Sequence, residues 1–261
     1  MLESLKKKIC LITGARTGIG LSIGQTLAKN GYRVIFSGRS INDCKDTVNQ
    51  LVTDGFEAVE SPIDLSNLSS LKQETETALS IWGTVDILIN NGAVIEPISL
   101  IEKLDAQNFE TAARINYLAP SLLISYCWSN FVKNRGKVIN ILSGASVNPI
   151  EGWAAYCSTK AALYMINQQT HLEGEKYGIS SIGISPGMVD TEMQGKIRAS
   201  GVNQISKVKK EDLLNTKQPG LFALWCTSPQ ANQFSGEMVS ENDPEVKAKY
   251  QAWIKTQAEK L

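Results

Sequence analysis

The sequence has a single histidine, only five cysteines and no excess of charge, since its 26 basic residues are balanced by 26 acidic ones. An odd number of cysteines without a C-x-x-C pair predicts reduced thiols, and neither a disulfide framework nor a metal site is expected. The zero net charge offers no basic surface for a nucleic acid or an anionic membrane. After Met1 to Lys8 only the short apolar run Ile9 to Ile12 follows, too brief for a signal peptide or a spanning helix. We therefore expect a cytoplasmic protein without nucleic-acid or membrane partners.

The 261 residues, 43% of them hydrophobic, can bury a large core. Short β-rich apolar runs alternate with longer amphipathic stretches, a rhythm typical of βαβ units on a parallel sheet. We predict an α/β fold over residues 1–261, a single-domain Rossmann-type doubly wound parallel sheet with helices on both faces. The predicted strands are Ile9–Thr13, Arg33–Ser37, Ala58–Ser61, Val85–Asn90, Lys137–Leu142, Ser180–Ser185 and Glu237–Ser240. The predicted helices cover 18–30, 42–54, 67–81, 105–133, 154–177 and 216–228.

Two further patterns concern the connections between these elements. The stretch 187–217 is polar, mixed and weakly periodic, and it follows the sixth predicted strand. A long insertion at a strand's carboxyl end lies beside the ligand crevice of such a sheet, so we predict a substrate lid at about 187–217. Five glycines stand between a helical stretch and the next strand, where a left-handed residue is wanted: Gly31, Gly55, Gly83, Gly136 and Gly178.

A glycine-rich turn, T-G-A-R-T-G-I-G at residues 13–20, follows the first predicted strand and opens the first predicted helix. Gly14 permits the tight turn, Gly18 lets backbone N–H groups approach a pyrophosphate, and Gly20 lets the helix pack closely on the strand. In this context the pattern predicts a dinucleotide-binding site.

The same region contains a second pattern, G-x-S-x-G at residues 20–24. It allows a serine hydrolase as an alternative, with Ser22 as nucleophile and His171 as base. However, a nucleophile of that kind sits at a strand-to-helix turn, whereas Ser22 lies inside a predicted helix. Outside this alternative, His171 is expected to be a helix-surface residue without a local partner.

The end of the second predicted strand bears on cofactor choice. An acidic residue there binds the ribose hydroxyls of NAD, whereas an arginine suits the 2′-phosphate of NADP. Arg39 is present, and the nearest carboxylate, Asp43, lies in the predicted helix beyond the turn. Arg16 adds a second charge or a stacking surface at the adenine end, or it is a solvated loop cation. The sequence therefore favours NADP.

A tyrosine and a lysine, Tyr156 and Lys160, are four residues apart and so lie on one face of a predicted helix. A free phenol has a pKa near 10. A neighbouring ammonium, helped by an oxidised nicotinamide, is expected to lower that pKa toward the working range. Ser143 ends the fifth predicted strand, at the edge where open α/β sheets bind ligands, and is expected to polarise a carbonyl. Because an isolated Y-x-x-x-K pair also occurs by chance, the prediction depends on this context.

A proline, Pro120, interrupts the predicted helix 105–133. It has no N–H to donate four residues back, so the carbonyl of Asn116 loses its helical hydrogen bond. The proline predicts either a simple kink or a free carbonyl that holds a relay water, and both can be true.

Taken together, these motifs resemble the short-chain dehydrogenases/reductases over roughly residues 8–240. The N-N-A-G signature of that family appears as Asn90-Asn91-Gly92-Ala93, with its last two residues exchanged. The resemblance implies four catalytic residues, Asn116, Ser143, Tyr156 and Lys160. It also implies the following cofactor-binding residues: Gly14, Arg16, Gly18, Ile19, Gly20, Arg39, Asp64, Asn91, Tyr156, Lys160, Pro186, Gly187, Val189 and Thr191.

The stretches 143–157 and 185–194 further resemble the sepiapterin reductase and benzil reductase-like carbonyl reductase group. This resemblance implies reduction of a ketone or diketone by NADPH, with Tyr156 as proton donor, in a homodimer or homotetramer. Because Gly92 and Ala93 are exchanged, a weakly active NADPH-binding sensor or scaffold is the alternative. Four residues are expected to line an apolar substrate pocket, although each could be ordinary core: Ile150, Trp153, Met188 and Met193.

Overall fold

A computed structural model describes residues 7–258, which contain seven strands of one parallel sheet. The strands are β1 (Ile9–Thr13), β2 (Arg33–Ser37), β3 (Ala58–Glu60), β4 (Ile87–Asn90), β5 (Lys137–Ile141), β6 (Ser180–Ile184) and β7 (Met238–Val239). Their order is β3-β2-β1-β4-β5-β6-β7, so the direction of winding reverses between β1 and β4. This reversal is the point at which open α/β sheets bind their ligands.

Nine α-helices connect and follow the strands in the described part of the chain. They are α1 (Gly18–Lys29), α2 (Lys45–Thr53), α3 (Leu71–Ser80), α4 (Ala106–Ala113), α5 (Ala119–Asn134), α6 (Ala154–Gly174), α7 (Glu192–Ser200), α8 (Lys217–Thr227) and α9 (Pro244–Ala258). A π-helical turn, Arg114–Leu118, separates α4 from α5 just before Pro120. The single helix predicted over 105–133 is therefore two helices, because the chain departs from α-helical geometry where the proline withholds an N–H.

The core consists of two apolar layers, one on each face of the sheet. Neighbouring side chains of β1 alternate between them: Ile9 and Leu11 belong to one layer, and Cys10 and Ile12 to the other. All four are fully buried. Helices α1, α2, α8 and α9 cover one layer, and α3, α5 and α6 cover the other. Strands that are apolar on both faces thus produce the predicted doubly wound Rossmann-type sheet.

The glycines that stand between a helix and the next strand have the predicted left-handed conformation, with one exception. Four of the five glycines have φ angles between 74° and 86°: Gly31, Gly55, Gly83 and Gly178. The prediction is wrong for Gly136, because Arg135 takes the left-handed conformation there, at a φ of 51°. Glycine is needed at residue 136 for a different reason, since a Cβ would lie 2.3 Å from the Phe131 ring.

The five cysteines are predicted to be reduced, and no apolar run of the sequence is long enough to span a membrane. All five cysteines are free in the structure, and four of them are buried. Between residues 7 and 258, no helix is both long enough and apolar enough to cross a membrane.

After β6 the chain leaves the sheet and returns to it, in a segment that we call the 188–214 excursion. Its two ends are joined by backbone hydrogen bonds, from Leu214 N to Met188 O (2.9 Å) and from Asp190 N to Leu214 O (2.8 Å). Between these ends lies α7, which the sequence analysis did not predict. The excursion occupies most of the predicted lid at 187–217 and starts at the carboxyl end of the sheet.

Candidate active site

A cavity of about 860 Å³ lies along the carboxyl edge of the sheet, within the size range of cofactor and substrate sites. It is bordered by the glycine-rich turn after β1 and by the loops after β2, β3, β4, β5 and β6. Ser143, Tyr156 and Lys160 all line it. Of the residues predicted for the site, Gly20 and Asn116 lie behind the wall rather than on it.

The glycine-rich turn owes its shape to three glycines. Gly14 and Gly18 both have a φ of 61°, a conformation that side chains disfavour. A Cβ on Gly14 would lie 2.6 Å from the Cα of Gly92, so the turns after β1 and β4 touch through their backbones. A Cβ on Gly20 would lie 2.4 Å from the Asn91 Nδ2. Gly20 therefore makes room for a neighbouring side chain, and the two other glycines bring the turn to the cavity.

Asn91 joins this turn to the end of β4. Its Nδ2 donates to the carbonyls of Thr13 and Gly14, at 3.0 Å each. At the first exchanged position of the N-N-A-G signature, a Cβ on Gly92 would lie 2.5 Å from the Leu65 Cδ1. Glycine at this position thus accommodates Leu65 and leaves the contacts of Asn91 in place.

We expect Gly92→Ala to lower the free energy of unfolding by about 1 kcal/mol, the low end of the cost of overpacking, because only the end of the Leu65 side chain must move. Chemical denaturation measures this loss. Gly144→Ala is the matched control, since a Cβ there meets nothing within 4 Å. Removing the obstructing side chain in the Gly92→Ala, Leu65→Ala double variant should give a smaller loss than the sum of the single losses. Equal stability of the Gly92→Ala and Gly144→Ala proteins would contradict this account.

The loop after β2 forms the end of the cavity predicted for adenine. Asp43 Oδ2 accepts hydrogen bonds from the backbone N–H groups of Arg39 (2.8 Å) and Ser40 (2.9 Å). One oxygen of the nearest carboxylate, Asp43, thus already accepts hydrogen bonds from the turn in which it lies. The Arg39 side chain is 74% exposed, and its Nε lies 3.5 Å from Asp64 Oδ2.

Asp64 is ionised at this end of the cavity. Burial raises its pKa, but hydrogen bonds from Ser66 and the charge of Arg39 outweigh that effect and leave the pKa below its usual value. The Ser66 hydroxyl and backbone N–H donate to Asp64 Oδ1 at 2.6 Å and 2.9 Å. The carboxylate is therefore held in a fixed orientation beside the cavity.

The loop after β6 forms the opposite wall. Thr191 accepts a hydrogen bond from Gln194 N (3.4 Å) and so caps the start of α7. A Cβ on Gly18 would lie 3.3 Å from Thr191 Cγ2, so this loop faces the glycine-rich turn closely. Arg16 reaches across with its Nη2 3.4 Å from Glu192 Oε2. Several residues predicted to bind cofactor line the cavity in these two walls: Gly14, Arg16, Gly18, Ile19, Asn91, Pro186, Gly187, Val189 and Thr191.

Tyr156 and Lys160 stand one turn apart on α6, as their spacing requires. Lys160 is 2% exposed, and its Nζ donates to Ile141 O (2.7 Å) at the end of β5. The ammonium lies 5.8 Å from the centroid of the Tyr156 ring. The Ser143 oxygen, at the end of the same strand, accepts from Ala145 N (3.2 Å). One strand end and one helix thus bring the three side chains together.

Burial is the main cause of the pKa shifts of both Tyr156 and Lys160. Burial raises the pKa of Tyr156 to about 12, although a hydrogen bond with Ser143 acts in the opposite direction. Burial also lowers the pKa of Lys160 to about 8. In the chain alone the Tyr156 pKa is therefore raised, because desolvation of the phenolate outweighs the hydrogen bond with Ser143, and the lowering expected beside an oxidised nicotinamide stays a prediction. At neutral pH the phenol is protonated and the ammonium is charged.

Asn116 is fully buried in the π-helical turn. Its Oδ1 accepts from Val94 N (2.8 Å), and its Nδ2 donates to Val94 O (2.9 Å) and to Thr159 Oγ1 (3.2 Å). The side chain thereby holds the loop after β4 against α6. A proton relay through the carbonyl of Asn116 stays a prediction.

An apolar cluster surrounds Tyr156, and Trp153 packs edge-on against its ring at 5.7 Å between centroids. Met188 lines the cavity outside this cluster and is 45% exposed. Ile95, Ile197 and Ile205 are not among the predicted pocket residues, although the four-residue spacing of Met193 and Ile197 is a helical signal. The buried members of the cluster are Ile95, Ala145, Trp153, Tyr156 and Ile197, and half-buried Ile98, Ile150, Cys157, Met193 and Ile205 pack against them.

The hydrolase alternative does not fit this geometry. Ser22 lies inside α1 and is buried against α8, since a Cβ on Gly220 would be 2.7 Å from its hydroxyl. His171 is bound elsewhere, with its Nδ1 3.0 Å from Ser235 Oγ. His171 lies on α6, and its partner Ser235 follows it by 64 residues in sequence, so this contact could not be found from local spacing.

The cavity fits a nicotinamide dinucleotide. Gly14 and Gly18 have no side chain that could separate the backbone of the turn from the cavity. Helix α1 begins at Gly18, and backbone N–H groups at the start of a helix suit a pyrophosphate. Tyr156 and Lys160 stand on another wall of the same cavity. A Rossmann-type sheet with this turn and this pair defines a nicotinamide-dependent oxidoreductase.

Comparison with known proteins specifies the family. Residues 8–201 match the family model described as short chain dehydrogenase, and the chain belongs to this family. It is 32% identical over 219 residues to benzil reductase ((S)-benzoin forming) of Bacillus subtilis, covering 80% of this chain and 85% of that protein. The resemblance to the benzil reductase-like group is thereby confirmed.

Solved structures agree in fold. A short-chain dehydrogenase/reductase from Saccharomyces cerevisiae superposes with a TM-score of 0.81 at 26% identity, covering 92% of this chain and 98% of that one. An actinorhodin polyketide ketoreductase with NADPH gives a TM-score of 0.82 at 20% identity, covering 90% and 95%.

Proposed function

We propose that the chain is an NADPH-dependent carbonyl reductase that reduces an apolar ketone or diketone. The observation that carries this proposal is the position of Tyr156, which belongs both to the cavity wall and to the apolar cluster. A carbonyl placed beside its hydroxyl has its substituents against Trp153, Ile95 and Ile197. An aromatic diketone suits such a wall, and a relative at 32% identity is named for reducing one.

The chain's own residues supply the acid chemistry. NADPH, when bound, provides the hydride that the carbonyl carbon takes up. Tyr156 donates its proton to the carbonyl oxygen, and its raised pKa keeps that proton available at neutral pH. Ser143 holds the same oxygen through its hydroxyl. Lys160 stabilises the negative charge that develops on the phenol as the proton leaves.

The preference for NADPH is inferred from the loop after β2. Asp43 Oδ2 accepts hydrogen bonds from the backbone of its own turn, which holds this carboxylate against the turn rather than toward the ribose hydroxyls. Arg39 presents an exposed guanidinium at the same end of the cavity. Such a group pairs with a 2′-phosphate through charge-assisted hydrogen bonds. The cytoplasmic location and self-association stay predictions.

One assay tests reaction and cofactor together. The purified protein is given benzil and either NADPH or NADH, and we expect a hydroxyketone to form with preference for NADPH. Arg39→Ala should raise KM for NADPH by about 10- to 150-fold and leave KM for NADH nearly unchanged, because a charge-assisted contact is worth about 1.5–3 kcal/mol.

The matched control is Arg114→Ala, which removes a surface arginine that pairs with Glu110 outside the cavity. It should leave both KM values unchanged. Equal losses with NADPH and NADH in Arg39→Ala would refute the cofactor assignment. Absence of turnover across a panel of apolar ketones and diketones would refute the reaction.

A further inference from the structure

Helix α7 is tied to both walls of the cavity by ion pairs that start one helical turn apart. Lys196 Nζ lies 2.6 Å from Glu96 Oε1, in the loop after β4. Glu192 Oε2 lies 3.4 Å from Arg16 Nη2, in the glycine-rich turn. Residues four apart share one face of a helix, and all four of these side chains line the cavity. The two pairs therefore span the mouth of the cavity.

The position of α7 matters for the catalytic tyrosine. Ile197, next to Lys196 in the helix, is 4% exposed and belongs to the apolar cluster with Trp153 and Tyr156. Moving α7 away would open that cluster and hydrate the phenol. The ion pairs thus bear on the environment in which the proton is donated.

A bound cofactor is expected to affect the two ion pairs of α7 differently. Arg16 belongs to the turn that faces the pyrophosphate, so phosphate oxygens compete with Glu192 for its guanidinium. Glu96 and Lys196 lie outside that turn. Burial raises the pKa of Glu96, but the hydrogen bond from Lys196 outweighs it and leaves the pKa lowered. Glu96 is therefore ionised at neutral pH and pairs with the Lys196 ammonium.

We propose that the Lys196–Glu96 ion pair holds α7 closed over the ketone while the cofactor is bound. Glu96 and Lys196 are then positioning residues: they act on the substrate through α7 and touch no reacting atom. This inference rests on the proposed carbonyl reductase function for its kinetic part. Its structural part, the closure of α7, holds for the protein without cofactor or substrate.

Hydrogen exchange tests the structural part. In Lys196→Glu two carboxylates face each other, and we expect backbone amides of α7 to exchange about tenfold faster than in the parent protein. The charge swap Lys196→Glu with Glu96→Lys should restore slow exchange. Lys72→Glu, which breaks the ion pair with Glu76 on α3 outside the cavity, is the control and should leave α7 unchanged.

Kinetics tests the second part with saturating NADPH. Lys196→Met should raise KM for the ketone about two- to fivefold, the usual worth of an exposed ion pair, with a smaller change in kcat. The charge swap should return KM to near the parent value. Salt gives a further readout, because at 1 M the Debye length falls to about 3 Å and an exposed ion pair is weakened, so KM of the parent should rise more than that of Lys196→Met.

The outcomes separate this inference from the proposed function. The proposal is overturned if the backbone amides of α7 exchange no faster in Lys196→Glu than in the parent protein. It is also overturned if the charge swap does not restore slow exchange. A parent protein that reduces no ketone refutes the function, yet the exchange experiment still decides whether the pair closes α7. If the charge swap restores slow exchange of α7 but does not restore KM for the ketone, then closure of α7 does not position the ketone. The positioning role of Glu96 and Lys196 is then wrong.

Discussion

Replacing Tyr156 with phenylalanine is expected to lower ketone reduction by about 100-fold or more, the usual loss when a general acid is removed. The ring stays, so its edge-on contact with Trp153 is kept and the fold is preserved. Only the hydroxyl is lost, and with it the proton for the carbonyl oxygen. Binding of NADPH, measured by its fluorescence, should be nearly unchanged.

A matched control is Tyr164→Phe, the same change two turns further along α6 and outside the cavity. It should turn over at the parent rate. If Tyr156→Phe retained near-normal turnover, the proton would have to come from another group, and Tyr156 would be only a wall of the cavity.

Lys160→Met is expected to lower kcat/KM for the ketone by about 100-fold and to weaken NADPH binding. The substitution keeps an unbranched chain but removes a buried charge 5.8 Å from the Tyr156 ring. Over about 6 Å, at an effective dielectric constant of about 20, one charge stabilises another by about 2–3 kcal/mol. That energy corresponds to about 100-fold in rate. Steady-state kinetics and cofactor titration measure the two losses separately.

The pH profile provides a second signature of Lys160. Because burial lowers its pKa to about 8, the side chain is charged below that pH and neutral above it. Reduction by the parent should therefore fall as the pH rises through about 8, and this step should be missing in Lys160→Met. Tyr156 adds no step in this range, since burial raises its pKa to about 12.

Lys137→Met is the control for removing a buried lysine. Lys137 is 6% exposed and donates to the carbonyls of Cys226 and Ser228 at the other end of β5, far from the reacting groups along the strand. Losing it should cost stability but leave the pH profile of the remaining folded enzyme unchanged. A step near pH 8 that persists in Lys160→Met would show that another group titrates.

The strands could be predicted because a sheet buried on both faces leaves continuous apolar runs, and β1, β2, β5 and β6 begin where those runs begin. The helices α7 and α9 were missed. Helix α9 buries few residues, Val246 and Tyr250 among them, so its apolar pattern is weak. Helix α7 carries only Gln194 and Ile197 as buried residues. Amphipathic patterns fail where a helix contributes little to the core.

The site could be located from sequence, because its motifs sit at strand ends that a parallel sheet brings to one edge. Its fine structure could not be predicted, since it depends on contacts between distant residues. Gly92 packs against Leu65, and Lys196 pairs with Glu96 a hundred residues earlier. The Tyr156 pKa likewise depends on how deeply the ring is buried, which spacing along a helix does not reveal.

The 188–214 excursion has its two ends pinned together by the paired backbone bonds between Met188, Asp190 and Leu214. Closing a loop between fixed ends costs little more when the loop grows, about 0.6 kcal/mol for each doubling of its length. Segments of other lengths could therefore be transplanted between these anchors without disturbing either apolar layer of the sheet. Such a change would alter the apolar cluster around Tyr156, to which the excursion contributes Met193, Ile197 and Ile205, while the two apolar layers of the sheet stay the same.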